Sequence, residues 1–325
     1  MSTPSIAMIP SGFKAGKVYS VLPLSGAADL TFTRASSATR VNKDGLIETV
    51  ATGVPRLDYS DGVCPVLLIE PQQTQLYELT ETMSTQTKTV TAVQHTVGFY
   101  GTGTLNFTGA FVGSLVGTGV NDRVELTFTP TAGSLISTVS GTVTKSQLVT
   151  GNYLGSYIPN VTTGQITRLA DAASKTGVSS LINSSEGTFF VHSQSFSNNI
   201  TTAIVSLSDG TSNNRIAIRY SNSLNGLSFN LDVAGTPSFS FFTSAFDTSL
   251  FIKMAISYKL NEFKVYINGV KVHEDLSGAV PAANTFNRIA FDNGASASVF
   301  ISKVKDLRVY TTVLSESEAT TLTTL

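Results

Sequence analysis

The 325 residues include no tryptophan, one cysteine (Cys64) and three histidines. Each shortage removes a class of function. One cysteine forbids an intramolecular disulfide and a multi-cysteine zinc site, and it fits folding in a reducing compartment. His95, His192 and His273 lie far apart and share no ligand spacing with Asp, Glu or Cys, so they read as strand residues rather than a base or metal ligands. Charged residues are scarce, at 13%, and the formal net charge is -1. That argues against nucleic acid as a partner, because phosphate binding needs clustered Lys and Arg. No apolar run reaches the ~18 residues of a membrane-spanning helix. The start, Met1-Ser2-Thr3-Pro4-Ser5, has no basic region of the kind that opens a secretory signal, so folding in the cytoplasm is expected. No G-x-S-x-G elbow surrounds any serine, which removes the commonest hydrolase signature.

Helical periodicity is nearly absent too. Instead, 41% of the residues are apolar, enough for well-filled cores. They alternate with polar residues between Gly, Asn, Asp and Ser turns, the pattern of half-buried strands. The expected fold class is all-β, with tandem β-sandwich domains. Three parts are expected: 1–82, 83–172 and 173–325. In the first, Val18–Leu24 reads as a strand and Val41–Val50 as a hairpin around Asn42-Lys43-Asp44-Gly45. In the second, strands are expected at Val90–Tyr100, Gly103–Phe107, Val124–Pro130 and Leu135–Val143. In the third, Ile252, Met254, Ile256 and Tyr258 share one strand face, and Phe263, Val265 and Ile267 share another. Asn268-Gly269 forms a tight turn between strands, and strands are expected at Arg288–Asp292 and Val299–Tyr310. Ser315 and Glu318 have capping-box spacing, which predicts a short terminal helix over 315–323.

Several segments carry more specific patterns. Arg34 and Arg40 flank Ala35-Ser36-Ser37-Ala38-Thr39. Val54-Pro55-Arg56-Leu57-Asp58-Tyr59 follows, then the apolar run Val66-Leu67-Leu68-Ile69-Glu70-Pro71. The second part closes with Ser146-Gln147-Leu148, Gly155-Ser156-Tyr157-Ile158-Pro159 and Ile166-Thr167-Arg168-Leu169-Ala170-Asp171. In this order the segments resemble bacteriophage virion proteins of the tail, fibre and head-decoration kind. The closing pieces resemble the end of a carbohydrate-binding-module-like sandwich. In the third part, Phe263-Lys264-Val265-Tyr266-Ile267-Asn268-Gly269 comes first, and Val304-Lys305-Asp306-Leu307-Arg308-Val309-Tyr310 follows, just before Leu314-Ser315. That order resembles a laminin-G-like, or concanavalin-A-like, jelly roll.

The resemblance implies a non-enzymatic structural protein of a virion, a fibre, spike or decoration subunit assembled in the host cytoplasm. It would be exposed on the particle, touch other virion proteins and serve adhesion, with residues 1–82 as a docking region. Homo-oligomerisation, trimeric by analogy, is also implied. The alternative is a dedicated glycan-binding receptor-binding protein, and a third reading is a polysaccharide depolymerase. No catalytic residue and no cofactor other than calcium is expected. Calcium candidates are Asp209, Asn213 and Asp292 on rim loops, where ordinary turns explain the same residues. Phe239, Phe241, Phe242 and Tyr220 are candidates for glycan or partner contact, since the chain has no tryptophan to stack on a sugar. Arg34, Arg40, Arg56 and Arg168, with Asp171 and Tyr157, read as structural: the arginines clamp carbonyls and carboxylates such as Asp58 and Asp171. The acid pairs Asp58/Asp61, Glu78/Glu81, Glu274/Asp275 and Glu316/Glu318 read as solvated.

Overall fold

The computed structural model describes residues 2–198, 203–221, 225–297, 300 and 302–325. Strands dominate, and the one α-helix among the described residues is Glu316–Thr323. Two long antiparallel sheets pack face to face. One has eight strands, in the order Val270–Asp275, Glu262–Ile267, Ile252–Lys259, Glu186–Ser195, Ser302–Tyr310, Val66–Ile69, Arg56–Asp58, with Ile6–Met8 also paired to Ser302–Tyr310. The other has nine, in the order Phe13–Lys14, Lys17–Val18, Leu30–Thr33, Ala172–Thr176, Arg288–Ala290, Ala203–Ser208, Arg215–Ser221, Gly226–Val233, Thr236–Thr243.

The core between them follows from period-two alternation. Ile252, Met254, Ile256 and Tyr258 point into it from one sheet, and Leu227, Phe229 and Leu231 from the other, all nearly inaccessible to water. Asn268 and Gly269 both take positive φ, 47° and 83°, as a tight hairpin turn requires. The outer face of the eight-stranded sheet is covered in part by the C-terminal helix. Leu314, Ala319 and Leu322 pack there on Phe190, Ala255, Tyr266 and Tyr310. The helix starts with the expected capping box, in which Ser315 Oγ accepts from Glu318 N at 3.3 Å and Glu318 Oε2 accepts from Ser315 N at 3.2 Å. Replacing Ser315 with Ala is expected to lower stability by about 1 kcal/mol, read by calorimetry. No change in melting temperature would mean that packing alone holds the helix.

The expected three-part division changes in one respect. Residues 1–82 do not form a unit of their own. Ile6–Met8, Arg56–Asp58 and Val66–Ile69 extend one long sheet, and Phe13–Lys14, Lys17–Val18 and Leu30–Thr33 extend the other. Ile6 lies opposite Val309 and Met8 opposite Leu307, so the two ends of the chain complete one sandwich. The second sandwich is an insertion between them. Its sheets are Gln86–Val90, Gly133–Ser140, Thr104–Gly109, Gly113–Val116, and Gly119–Phe128, His95–Gly101, Thr144–Thr150. They close on Val97, Phe99, Leu105, Phe107, Leu135 and Leu148. Strands Gln73–Gln75 and Ile166–Arg168 pair where the chain enters and leaves it, with Ile166 opposite Gln75.

Smaller differences have local causes. Of the expected strand Val18–Leu24, Val18 joins a sheet and Leu22 makes an isolated bridge with Ala7, and Pro23 has no N–H to continue a ladder. The stretch Val90–Tyr100 is divided, because Gln86–Val90 and His95–Gly101 belong to different sheets. Of the strand expected at Val299–Tyr310, Ser302–Tyr310 is seen; its expected start at Val299 lies outside the described residues. Among the described residues, no helix is long and apolar enough to cross a membrane.

Candidate functional site

The phage-like segments converge where the insertion joins the jelly roll. Arg56, Arg168, Glu70 and Asp171 are at most 1% exposed and Arg34 is 2% exposed, so five charges with a net of +1 lie out of water together. Arg34 donates to Asp171 at 3.1 Å and to the carbonyls of Ser36 and Ala51 at 2.8 Å and Val54 at 3.2 Å. Arg56 bonds both Glu70 and Asp171, and donates to Ser156 Oγ at 2.7 Å and Thr39 O at 3.2 Å. Arg168 pairs with Glu70 at 2.9 Å and donates to Pro71 O at 2.9 Å. These arginines therefore grip carbonyls and carboxylates.

Each charge is defined by its neighbours. Burial opposes the Glu70 anion, but Arg168, Arg56 and Ser156 outweigh it and hold the carboxyl down at about 2. Burial also opposes the Arg56 cation, and Asp171 and Glu70 overcome it, raising its pKa. In Arg34 and Arg168 burial prevails and lowers the pKa, although a guanidinium stays charged regardless. Gly155 runs so close to the cluster that a Cβ there would collide with Glu70 and press on Arg168 Nη1. Gly155→Ala is therefore expected to destabilise the junction by about 1–3 kcal/mol through overpacking. Wild-type melting of that variant would show that the cluster can move aside.

Glu70 and Ser156 lie in the phage-like segments but are not among the site residues expected from the sequence, yet they complete the cluster. The signal for Glu70 is its place: a lone acid closing a run of four apolar residues, Val66–Ile69, all buried. Tyr157 ties the junction together, with its carbonyl accepting from Thr39 Oγ1 at 2.5 Å and its hydroxyl donating to Glu81 at 2.9 Å. Arg40 stands apart from the cluster, paired with Glu48 at 2.6 Å across a hairpin and lying over the Phe13 ring. Asp58 is buried rather than solvated, and accepts from Val41 N at 2.7 Å and Ser60 N at 3.0 Å.

Above this cluster is a cleft of about 210 Å³ between the two sandwiches. All three sequence parts line it: Arg40 and Asp58 from the first, Tyr100, Arg123 and Ser156 from the second, Phe196 and Lys303 from the third. Arg123 is fixed by Glu125 at 2.6 Å and Gly155 O at 2.8 Å, and Lys303 by Asp61 at 2.7 Å and Ser60 Oγ at 2.8 Å. Phe196 stacks on Tyr153, with centroids 5.6 Å apart and planes 3° from parallel. The walls thus combine aromatic faces with fixed donors. Such mixed clefts at domain junctions are the usual places for small ligands, and drug-sized pockets run ≈ 300–1,000 Å³. This cleft admits one small unit.

The other candidates separate. Asp209 is spent on its own turn, accepting from Thr211 N at 2.8 Å, Thr211 Oγ1 at 2.6 Å and Asn214 Nδ2 at 2.8 Å. Asp292 is forked by Arg288 and also accepts from Gly294 N at 2.8 Å. Asn213 stays in the Asp209 turn, its N–H bonded to Thr211 Oγ1 at 3.0 Å. A cation would have to displace Arg288, so these three do not assemble a calcium site. Among the described residues no group of three or more His, Cys, Asp or Glu is placed to hold a metal. Tyr220 and Phe239 are 2% exposed core residues. The Tyr220 hydroxyl donates to Ser193 O at 2.8 Å, and Phe239 stacks on Phe263. Phe241 stacks on His273, with centroids 4.3 Å apart. Only Phe242 of the four presents its ring to solvent, at 45% exposure.

Comparison with known proteins finds similarity over parts of the chain. The Ruminococcus gnavus IT-sialidase CBM40, solved with alpha2,3 sialyllactose, is 19% identical over 43% of this chain and 83% of that one, with a TM-score of 0.37. Domain 4 of AbnA, a GH43 extracellular arabinanase from Geobacillus stearothermophilus solved with arabinotriose, is 14% identical over 53% and 85%, with a TM-score of 0.39. No curated protein matches the chain. Residues 168–320 match the family described as the concanavalin A-like lectin/glucanases superfamily, in line with the jelly roll expected there, whose two sheets the N-terminal strands complete.

Proposed function

We propose that this chain is a non-enzymatic structural protein of a bacteriophage virion, a fibre, spike or decoration subunit, that holds a host-surface glycan in the cleft between its sandwiches. One observation carries the reading. The segments that resemble virion proteins build the floor of a small cleft whose walls offer aromatic faces and fixed hydrogen-bond donors together, the two things a sugar ring with its hydroxyls needs. The lectin/glucanase description of the matched family supports a saccharide ligand. The chemistry favours holding over cleavage: among the described residues Asp58 is the one carboxylate lining the cleft, and most glycosidases need a pair. Assembly in the host cytoplasm, contact with other virion proteins and a trimeric state belong to the same proposal.

A glycan array probed with the full chain, with and without calcium, tests it. Binding to a bacterial-surface glycan is expected, weakened about tenfold or more by Tyr100→Ala or Arg123→Ala with the melting temperature kept. No binding by the wild type under either condition would overturn the glycan part. Absence of the chain from purified particles of a phage that encodes it would overturn the virion part.

A further inference from the structure

The outer face of the nine-stranded sheet carries a second polar depression, far in sequence from the phage-like segments. Three cross-strand rows build it. Arg215 lies opposite Asp232, Ala217 opposite Asn230 and Arg219 opposite Ser228. The edge strand Thr236–Thr243 continues the rows with Pro237, Ser240 and Phe242, and Ile204 flanks Arg219 on the other side. The depression holds about 180 Å³ and is lined by Ile204, Arg215, Ala217, Arg219, Asn230 and Asp232. On the opposite face of these strands, Ile216, Ile218, Leu227, Phe229 and Leu231 are locked in the core. The outer groups therefore stand on a rigid floor.

The two arginines differ. Arg215 is satisfied, donating to Asp232 at 2.8 Å and to Asn293 O at 2.8 Å. Arg219 has no carboxylate partner among the described residues. Among the described residues its one side-chain hydrogen bond is a long 3.4 Å contact with Ser228 Oγ, and its buried Nε has no partner. A guanidinium is always charged and presents a planar fork of donors. Arg219 keeps its charge with no anion beside it among the described residues, and a carboxylate can accept two parallel bonds from the rest of such a fork. Beside it, Asn230 bridges Ser228 and Ser240 through hydrogen bonds of 2.8 and 2.9 Å, a set of groups suited to sugar hydroxyls. Phe242, in the same row as Arg219, adds an exposed ring.

We infer that this face binds a carboxylate-bearing sugar, with the carboxylate on Arg219, hydroxyls on the Asn230–Ser240 pair and the ring against Phe242. The inference rests on the reading of the chain as a glycan binder but concerns a different surface from the cleft. Its test is titration calorimetry of the full chain with uronate-containing oligosaccharides, the same oligosaccharides with the carboxylate reduced to an alcohol, and inorganic sulfate. The wild type is expected to favour the acidic form by about tenfold or more. Arg219→Ala should lose that preference at an unchanged melting temperature, and Arg219→Lys should not restore it, because an ammonium lacks the fork. Equal affinity for the acidic and reduced sugars, or for sulfate and the acidic sugar, would overturn the inference. So would undiminished binding by Arg219→Ala; if Tyr100→Ala then abolished the same binding, the cleft would stand as the site.

Discussion

Replacing Glu70 with Ala is expected to cost about 3–5 kcal/mol, the range for breaking a buried ion pair by removing one partner. Arg56 and Arg168 would stay buried with Asp171 as the remaining anion of the cluster, and neither guanidinium can shed its charge. For a chain of this size the melting temperature should fall by roughly 10 °C. Glu48→Ala is the control, because Glu48 is 36% exposed and its bond to Arg40 is a surface pair, worth about 0–1 kcal/mol. If calorimetry shows both variants melting alike, the buried cluster is not what holds the junction. The same carboxylate sets an acid limit. Its folded pKa of about 2 lies below the ordinary 4.5, so its contribution is complete above about pH 4.5 and is lost as the pH falls toward 2. Glu70→Gln should flatten the fall in melting temperature over that interval, and an unchanged acid profile would remove Glu70 as its source.

What could be read from the sequence was what is local. The Asn268-Gly269 turn, the Ser315 capping box and the alternation of Ile252, Met254, Ile256 and Tyr258 depend on residues a few positions apart, and all three are in the structure. The junction arginines stood out because they fall in the segments that resemble virion proteins. Their partners are joined only in space: Arg34 and Asp171 are 137 positions apart, and Arg56 and Ser156 are 100 apart. The aromatic run at 239–242 shows the limit from another side. Adjacent Phe241 and Phe242 must point to opposite faces, but alternation does not say which face is inward. The fold gives Phe239 and Phe241 to the core side and leaves Phe242 outside. Nor does any local pattern reveal that Ile6–Met8 pairs with Leu307–Val309, because strand register across three hundred residues leaves no mark on either segment.

That long-range pairing leads to the largest expected effect. Residues 173–325 expressed alone, although they contain nearly all of the family-matched span, should not fold. Ile6, Met8, Val18, Leu30, Phe32, Leu67 and Ile69 all belong to the one core between the long sheets. Each large apolar side chain contributes about 1.5–3 kcal/mol on burial, so losing all seven removes on the order of 10–20 kcal/mol. A domain's whole net stability is about 5–15 kcal/mol. The shortened chain would also leave Ser302–Tyr310 without Ile6–Met8 and Val66–Ile69, and Ala172–Thr176 without Leu30–Thr33. These are bare strand edges of the kind that aggregate. Calorimetry should show no cooperative transition for residues 173–325, and a dye that reports exposed apolar surface should bind it at room temperature while ignoring the full chain. A sharp, reversible transition within a few degrees of the full chain would instead show that the N-terminal strands lie against a finished jelly roll and are not part of its core.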